Sequence, residues 1–366
     1  MKITSEMVKQ WGREVGAGAV GIANIERFRN APRRMHPSNI FPDCRSVISI
    51  LQPIPRGSYR GITEGTHWGN YTFYSYNRLN TLFRPRRTYE LACRIEDHGW
   101  EAVPVYPGVP ERPGATSPVA PGRPPPEVNI NVRIAAVACG LGEIGWSKVF
   151  LTKKWGPRVR IGTILTDAEL EPDPLIPPGT LCDRCYRCVG DCPGAIPKPG
   201  ERPSVRIQID GQTYEWGDVH MGRCTLTHHG LNWEVSPFLK AAYPGLDLRV
   251  RESALSEDSA YRLCYPVAQA TFAPSPEAPD PNCVPFYRQL LQHTGYFAVC
   301  GAKGCIRGCM AAMEKRHAIE QSRFATPVAP RPAWRLAPPS RDTVGGVAEG
   351  RFPAEWNDPD PAPGNW

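Results

Sequence analysis

The chain has no long apolar run. Nothing in its 366 residues approaches the ~20 consecutive apolar residues that a membrane-spanning helix needs. The opening residues, Met1-Lys-Ile-Thr-Ser-Glu-Met-Val, lack the apolar core of a secretory signal. Arg33-Arg34 is a twin arginine, but no uninterrupted apolar stretch follows it. The expected location is therefore the cytoplasm, with no membrane partner. Massed charge is missing as well. The formal net charge is +7, and basic residues such as Arg84, Arg86, Arg87, Lys153, Lys154, Arg158 and Arg160 are spread along the chain. A nucleic-acid partner is not expected, since an acidic substrate or an acidic electron donor explains such a surface equally well. No Ser/His/Asp order, P-loop or H-E-x-x-H is present, which removes the commonest hydrolase and nucleotide signatures.

Proline and cysteine, by contrast, are plentiful. The 41 prolines are about twice the usual ~5% share. They gather in Pro104–Pro126, Pro172–Pro178 and the stretch after Thr326, marking linkers or wrapping segments. The 13 cysteines cluster with ligand spacing and not as a disulfide framework, which implies a reducing compartment. Cys182-Asp-Arg-Cys185-Tyr-Arg-Cys188-Val-Gly-Asp-Cys192-Pro193 is C-x2-C-x2-C-x3-C-P, the run with which bacterial ferredoxins hold iron–sulfur clusters. Three thiolates three residues apart wrap one cubane, and the fourth points to a second cluster. Cys300-x4-Cys305-x3-Cys309 supplies most of a second set. Structural zinc prefers two well-separated C-x2-C pairs and fits this run less well.

Elsewhere the chain alternates helical and strand patterns. Glu6–Val15 sets Met7, Val8, Trp11 and Val15 on one helical face, and Pro85–His98 places Leu91, Ala92 and Ile95 inward with Gly99 as its stop. Strands are expected at Val20–Ala23, Ser46–Leu51, Glu101–Tyr106, Arg160–Asp167 and Ser204–Ile209. Helical runs are expected near Phe286–Gln292 and over Cys305–Arg316. Gly140-Leu-Gly142-Glu-Ile-Gly145 matches the dinucleotide fingerprint G-x-G-x-x-G. However, Asp167 stands later than the usual ~20 residues, and the alanine-rich lead-in suits a helix as well as a strand. Cys44 and Cys93 are expected as packed thiols, and Cys139 is given no role. His220, in a near match to D-x-H-x-x-G, and the adjacent His228 and His229 are expected to be structural. Tyr71, Tyr74 and Tyr76 lie in the aromatic stretch Trp68–Phe83.

Five segments together carry a resemblance: Pro42-Asp-Cys-Arg-Ser-Val-Ile, Arg133-Ile-Ala-Ala-Val-Ala-Cys-Gly-Leu-Gly-Glu-Ile-Gly145, Gly156-Pro-Arg-Val-Arg-Ile, Leu165-Thr-Asp-Ala-Glu-Leu-Glu-Pro-Asp173 and the cysteine run. The chain resembles the cobalamin-dependent superfamily of reductive dehalogenases and epoxyqueuosine reductases over about residues 5–315. The resemblance implies an α+β protein. Residues 1–175 would form a nitroreductase-like α/β core that binds a base-off corrinoid. Residues 176–315 would form a ferredoxin-like double [4Fe-4S] domain with a long insertion at 200–299, and 316–366 a proline-rich tail.

It also implies cluster ligands paired across the two cysteine sets. Cys182, Cys185, Cys188 and Cys309 would hold one cluster, and Cys192, Cys224, Cys300 and Cys305 the other, with Cys264 and Cys283 in reserve for Cys224. The corrinoid would lie against Gly140, Leu141, Gly142 and Gly145, with Ser147 donating a hydrogen bond. The implied activity is a corrinoid-dependent reductase that cleaves a carbon–heteroatom bond in a small molecule. Its electrons would come from an external donor (a ferredoxin, flavodoxin or reductase).

Two departures separate the chain from its relatives. Its second cysteine set lacks the usual C-x2-C-x3-C-P form. Where epoxyqueuosine reductases carry an acid ahead of the glycine loop, Pro126, Asn129 and Asn131 stand. The dehalogenase branch uses a tyrosine beside a cation as proton donor. Tyr76 is the choice, with Arg78 on its side if the segment is extended. The alternatives are a two-cluster ferredoxin-type electron carrier and an epoxyqueuosine reductase-like tRNA-modifying enzyme.

Overall fold

The computed structural model describes residues 2–106, 117–126, 128–232, 234–236, 249–251, 253–260, 262–263, 298–320, 324, 326 and 328. The expected helix at 286–292, Cys264, Cys283 and the tail beyond 328 lie outside the described residues.

A four-stranded antiparallel sheet forms the centre. Its order is β1 (Ala19–Asn24), β2 (Ser46–Pro53), β6 (Val159–Thr166) and β3 (Ala102–Pro104). β2 and β6 are the inner strands, rich in β-branched residues that suit a pleated buried surface. Their register pairs Ile48 with Ile164, and β1 adds Ile22 opposite Ile48.

Strand alternation sorts the side chains onto two faces. On one face Ile22, Ile48, Ile50 and Ile164 meet Val8 of α1 (Ser5–Glu14) and Leu91 and Ile95 of α3 (Arg84–Glu96). The opposite face carries Val47, Leu51, Ile161 and Leu165, and Ala135 to Cys139 of α4 (Val132–Ala138) pack on it. Small side chains let α4 lie close to the strands. Thr4 caps α1 by accepting from the Met7 N–H, which accounts for where that helix starts.

The elements before Gly140 decide one open question. A dinucleotide site needs a strand, then the glycine turn, then a helix. Here the lead-in is helix α4, and the turn runs on into the hairpin β4 (Glu143–Ile144) and β5 (Phe150–Leu151). That order is the reverse of a Rossmann fingerprint. Cys44 is a packed thiol, as expected; Cys139 is one too, whereas Cys93 is only half-buried. Burial pushes the Cys44 and Cys139 pKa values up to about 11 and 12.

Trp68–Phe83 folds differently from the extended form assumed for it. After α2 (Arg60–Glu64), residues Tyr71–Asn77 and Leu79–Phe83 are π-helical, a wide turn found mostly at functional sites. The cysteine region contributes α5 (Arg187–Asp191), the hairpin β7 (Ser204–Ile209) and β8 (Gln212–Gly217), α6 (Met221–His228) and α7 (Cys305–Lys315). No helix among the described residues is long and apolar enough to cross a membrane.

Candidate iron–sulfur and redox site

The first cysteine loop is built to point N–H groups at sulfur. Arg184 and Tyr186 both take left-handed backbone conformations, with φ of 59° and 52°. Such alternations turn successive amides inward into an anion-binding concavity. The N–H of Arg184 is hydrogen-bonded to the Cys182 sulfur, that of Arg187 to Cys185, and that of Val189 to Cys188. These bonds favour thiolates, whereas burial pushes Cys182 and Cys185 above the ordinary thiol range.

Cys309 joins this loop from far along the chain. Its thiol shares a hydrogen bond with Cys188, which lowers the Cys188 pKa and drives that of Cys309 well up. Two features of α7 bring it there. Gly308 lets the helix press on α5: a Cβ at that position would sit 2.7 Å from the Asp191 carboxylate. Arg316, which caps the helix, donates to the Leu181 carbonyl and pairs with Asp183.

The remaining four thiols gather beside the first group. Burial raises the Cys300 pKa well above its ordinary value, and nearby Cys192, Cys305 and Cys224 raise it further. Cys305 is raised in the same way, by burial and then by Cys192, Cys224 and Cys188. The Ala195 N–H donates to Cys192 sulfur at 3.3 Å. The described cysteines form no disulfides.

Cys188 and Cys309 are thus in direct contact, and Cys192, Cys224, Cys300 and Cys305 lie near one another. Among the described residues no three Cys, His, Asp or Glu side chains converge tightly enough for a single metal ion. Zinc at a Zn–S distance of ~2.3 Å would need its thiolates about 3.8 Å apart. A four-iron cubane holds its ligands farther apart, and a donor set of thiols, buried at Cys188 and Cys192 and exposed at Cys185, with N–H groups close by fits one.

The glycine loop is packed closely within the protein. A Cβ at Gly140 would lie 2.3 Å from the Pro174 carbonyl oxygen, and one at Gly142 2.0 Å from that of Leu151. At Gly145 it would meet Leu151 at 2.9 Å and the Cys182 sulfur at 3.6 Å. On the side where a Cβ would stand, the bare backbone is therefore packed against protein. Ser147 is buried near Cys188, and its hydroxyl has no hydrogen-bond partner among the described residues. Leu141, half-buried, packs against the core that carries α4.

Glu143, inside this loop, is a functional residue that sequence reasoning passed over. It is 3% exposed, and its carboxylate accepts from the N–H groups of Leu181 and Cys182 at 3.0 and 2.9 Å. Burial raises its pKa although those hydrogen bonds oppose the shift. An acid within a loop otherwise made of glycine and apolar residues was the available signal.

Tyr76 sits in a third cluster of groups. The Arg160 guanidinium lies over its ring, 5.0 Å from the centroid, and the His228 ring packs against it at 4.4 Å, tilted by 46°. Arg160 is itself held by the Ser75 carbonyl at 3.1 Å. Arg78 turns instead over Phe73, at 5.4 Å. The cation beside Tyr76 is thus Arg160, because the π-helical turn carries Arg78 away from the side it would share in a strand. Tyr74 is 46% exposed, and Tyr71 is fully buried. Desolvation, then the charges of His229 and Arg160, hold the His228 pKa well below its ordinary value, so its imidazole is neutral. The Val299 N–H donates to the His228 carbonyl, tying this cluster to Cys300. His220 caps α6, accepting from the Arg223 N–H.

Comparison with known proteins bears on this arrangement. Tetrachloroethene reductive dehalogenases of Desulfitobacterium hafniense and Dehalobacter restrictus are 39% identical over 82 residues, which are 22% of this chain and 15% of theirs. The epoxyqueuosine reductase of Gloeobacter violaceus is 29% identical over 180 residues, 48% of this chain and 49% of that one. The chain is similar to both groups. It spans about half the length of one curated relative and far less of the others. No family model matches it. Among solved structures, a catabolic reductive dehalogenase aligns over 79% of this chain and 36% of its own, with 17% identity and a TM-score of 0.43. The epoxyqueuosine reductase of Streptococcus thermophilus aligns over 73% and 80%, with 14% identity and a TM-score of 0.36. At these scores the structural neighbours decide nothing further.

Proposed function

We propose that the chain is an iron–sulfur reductase of the reductive dehalogenase-like type, acting on a small molecule and charged by an external electron donor. The observation that carries this reading is the pair of four-thiol groups tied, through Val299 and His228, to the Tyr76–Arg160 cluster. In this reading residues 1–175 form a nitroreductase-like core, and 176–315 a ferredoxin-like double-cluster domain.

Iron–sulfur clusters, when bound, supply electrons one at a time. Cys182, Cys185, Cys188 and Cys309 would hold one, and Cys192, Cys224, Cys300 and Cys305 the other. Reductive cleavage of a carbon–heteroatom bond consumes two electrons and one proton and releases the heteroatom as an anion. Tyr76 delivers the proton from its hydroxyl, and Arg160 stabilises the phenolate left behind. Neutral His228 fixes the phenol ring by packing against it and adds no charge that would oppose Arg160.

A corrinoid belongs to this proposal through the resemblance and the likeness to the dehalogenases. Gly140, Leu141, Gly142, Gly145 and Ser147 would lie beside it, and no step is assigned to it. An electron carrier would have no use for a phenol held between a guanidinium and an imidazole, which favours the enzyme.

The test is anaerobic reconstitution with iron and sulfide, then incubation with hydroxocobalamin and gel filtration. Cobalt comigrating with the iron-loaded protein, and reduction of a halogenated substrate by that fraction, supports the full reading. Iron without cobalt and without turnover makes the carrier the better description.

A further inference from the structure

Tyr71 combines three properties that rarely occur together. It is 0% exposed, its hydroxyl has no hydrogen-bond partner among the described residues, and it lies against the second thiol group. A buried donor without a partner costs roughly 1–3 kcal/mol, so such groups are uncommon and call for an explanation.

The contacts around Tyr71 fix where its hydroxyl lies. A Cβ built on Gly301 would meet Tyr71 Oη at 2.0 Å, so the phenol rests on the bare backbone next to Cys300. Any side chain at 301 would push it away. The neighbouring Thr72 clamps the same segment: its Oγ1 donates to the Ala298 carbonyl and accepts from the Ala298 N–H, both at 3.2 Å. Tyr71 therefore moves with the backbone that carries Cys300. Burial, then Tyr59, raise its pKa well above the ordinary phenol value, while Cys305 and Cys300 add to the rise by their proximity.

Tyr59, whose ring lies 5.1 Å away, offers no acceptor for it, because the Tyr59 hydroxyl is itself unpartnered. Cys300 and Cys305 bring sulfur acceptors close to it. We propose that Tyr71 donates its hydroxyl hydrogen bond to the second iron–sulfur cluster, at a ligand thiolate or a cluster sulfide, and so sets that cluster's reduction potential. This rests on the reading that Cys192, Cys224, Cys300 and Cys305 hold a cluster.

A hydrogen bond to sulfur stabilises the more negatively charged reduced state and raises the potential. The test is a redox titration of the anaerobically reconstituted full chain, followed by electron paramagnetic resonance. Iron and sulfide are measured on each variant first. Tyr71→Phe should keep both clusters and lower the potential of the second by a factor of roughly ten in its reduced-to-oxidised ratio, about 59 mV for one electron. The first cluster should not move, and neither cluster should move in Tyr59→Phe.

Fluorotyrosine placed at position 71 keeps the shape and strengthens the donor, so it should raise the potential of the second cluster. This second substitution covers the case in which Tyr71→Phe fails to fold. Two loaded clusters with an unshifted second potential in either variant would overturn the proposal. Absence of a second cluster from the wild-type chain would overturn the cluster reading itself, and the iron content tells the two failures apart.

Discussion

Glu143 holds Cys182. Its carboxylate, buried in the turn after α4, accepts the Cys182 N–H at 2.9 Å and the neighbouring Leu181 N–H at 3.0 Å. The glycine loop is thereby a seat for the first cysteine loop, and it connects the sheet-and-helix core to the redox site.

Glu143→Gln should weaken that seat. An amide keeps one acceptor oxygen and turns an N–H pair toward the other donor, leaving a buried amide unmatched at a cost of roughly 1–3 kcal/mol. The expected outcome is a lower thermal midpoint and faster chelator extraction of iron from the first cluster, with the second unaffected. Equal extraction rates for the two clusters would show that Glu143 does not seat the loop.

Cys309→Ser should damage the cluster of Cys182, Cys185 and Cys188, since the Cys309 thiol reaches Cys188 and not its sequence neighbour Cys305's partners. Iron should fall toward about four per chain, and the surviving spectrum should be the one that Cys192→Ser abolishes. Loss of the same cluster in both variants would contradict the crossed pairing.

The cysteine run was legible because ligand spacing is local geometry: three thiols three residues apart can wrap one cluster whatever surrounds them. The sheet strands were legible too, since Ser46–Leu51 and Arg160–Asp167 are apolar, β-branched runs. The partner of Tyr76 was not. Trp68–Phe83 mixes aromatic and polar residues without a helical period, so its π-turns left no pattern, and Arg160 arrives from a strand far along the chain. The glycines at 140, 142 and 145 showed that something approaches closely, but not whether it is a ligand or the chain itself. The distances to Pro174 and Leu151 show that the chain itself closes on the Cβ side.

Tyr76→Phe should lower turnover roughly hundredfold or more, the range of a lost general acid, while leaving iron content and both cluster spectra unchanged. Arg160→Gln should produce a similar loss through the uncompensated phenolate. Single-turnover rates with pre-reduced protein are the measurement, because they separate proton delivery from electron supply. Full turnover in Tyr76→Phe would remove this residue from the chemistry.

Acid should loosen the first cysteine loop through Glu215. Hydrogen bonds from Ser204, then Arg206 and Arg184, pull the Glu215 carboxyl down to about 2 from an ordinary value of 4.5. A depressed carboxyl contributes stability above the ordinary value, and that contribution is lost as pH falls from 4.5 through about 2. Because Arg184, between Cys182 and Cys185, pairs with Glu215 at 3.1 Å, the loop is released with it. Glu215 is a surface group, so the effect is modest. Thermal midpoints measured across that window should fall more steeply for the wild type than for Glu215→Gln, and parallel curves would count against the coupling.

The account stands on two interlocked four-thiol groups, and metal content with spectroscopy tests it most directly. Anaerobically reconstituted protein should hold about eight iron atoms and as many sulfides per chain. On reduction its paramagnetic spectrum should show two neighbouring clusters that interact. Zinc in place of iron, or a stable content near four iron atoms, would contradict it.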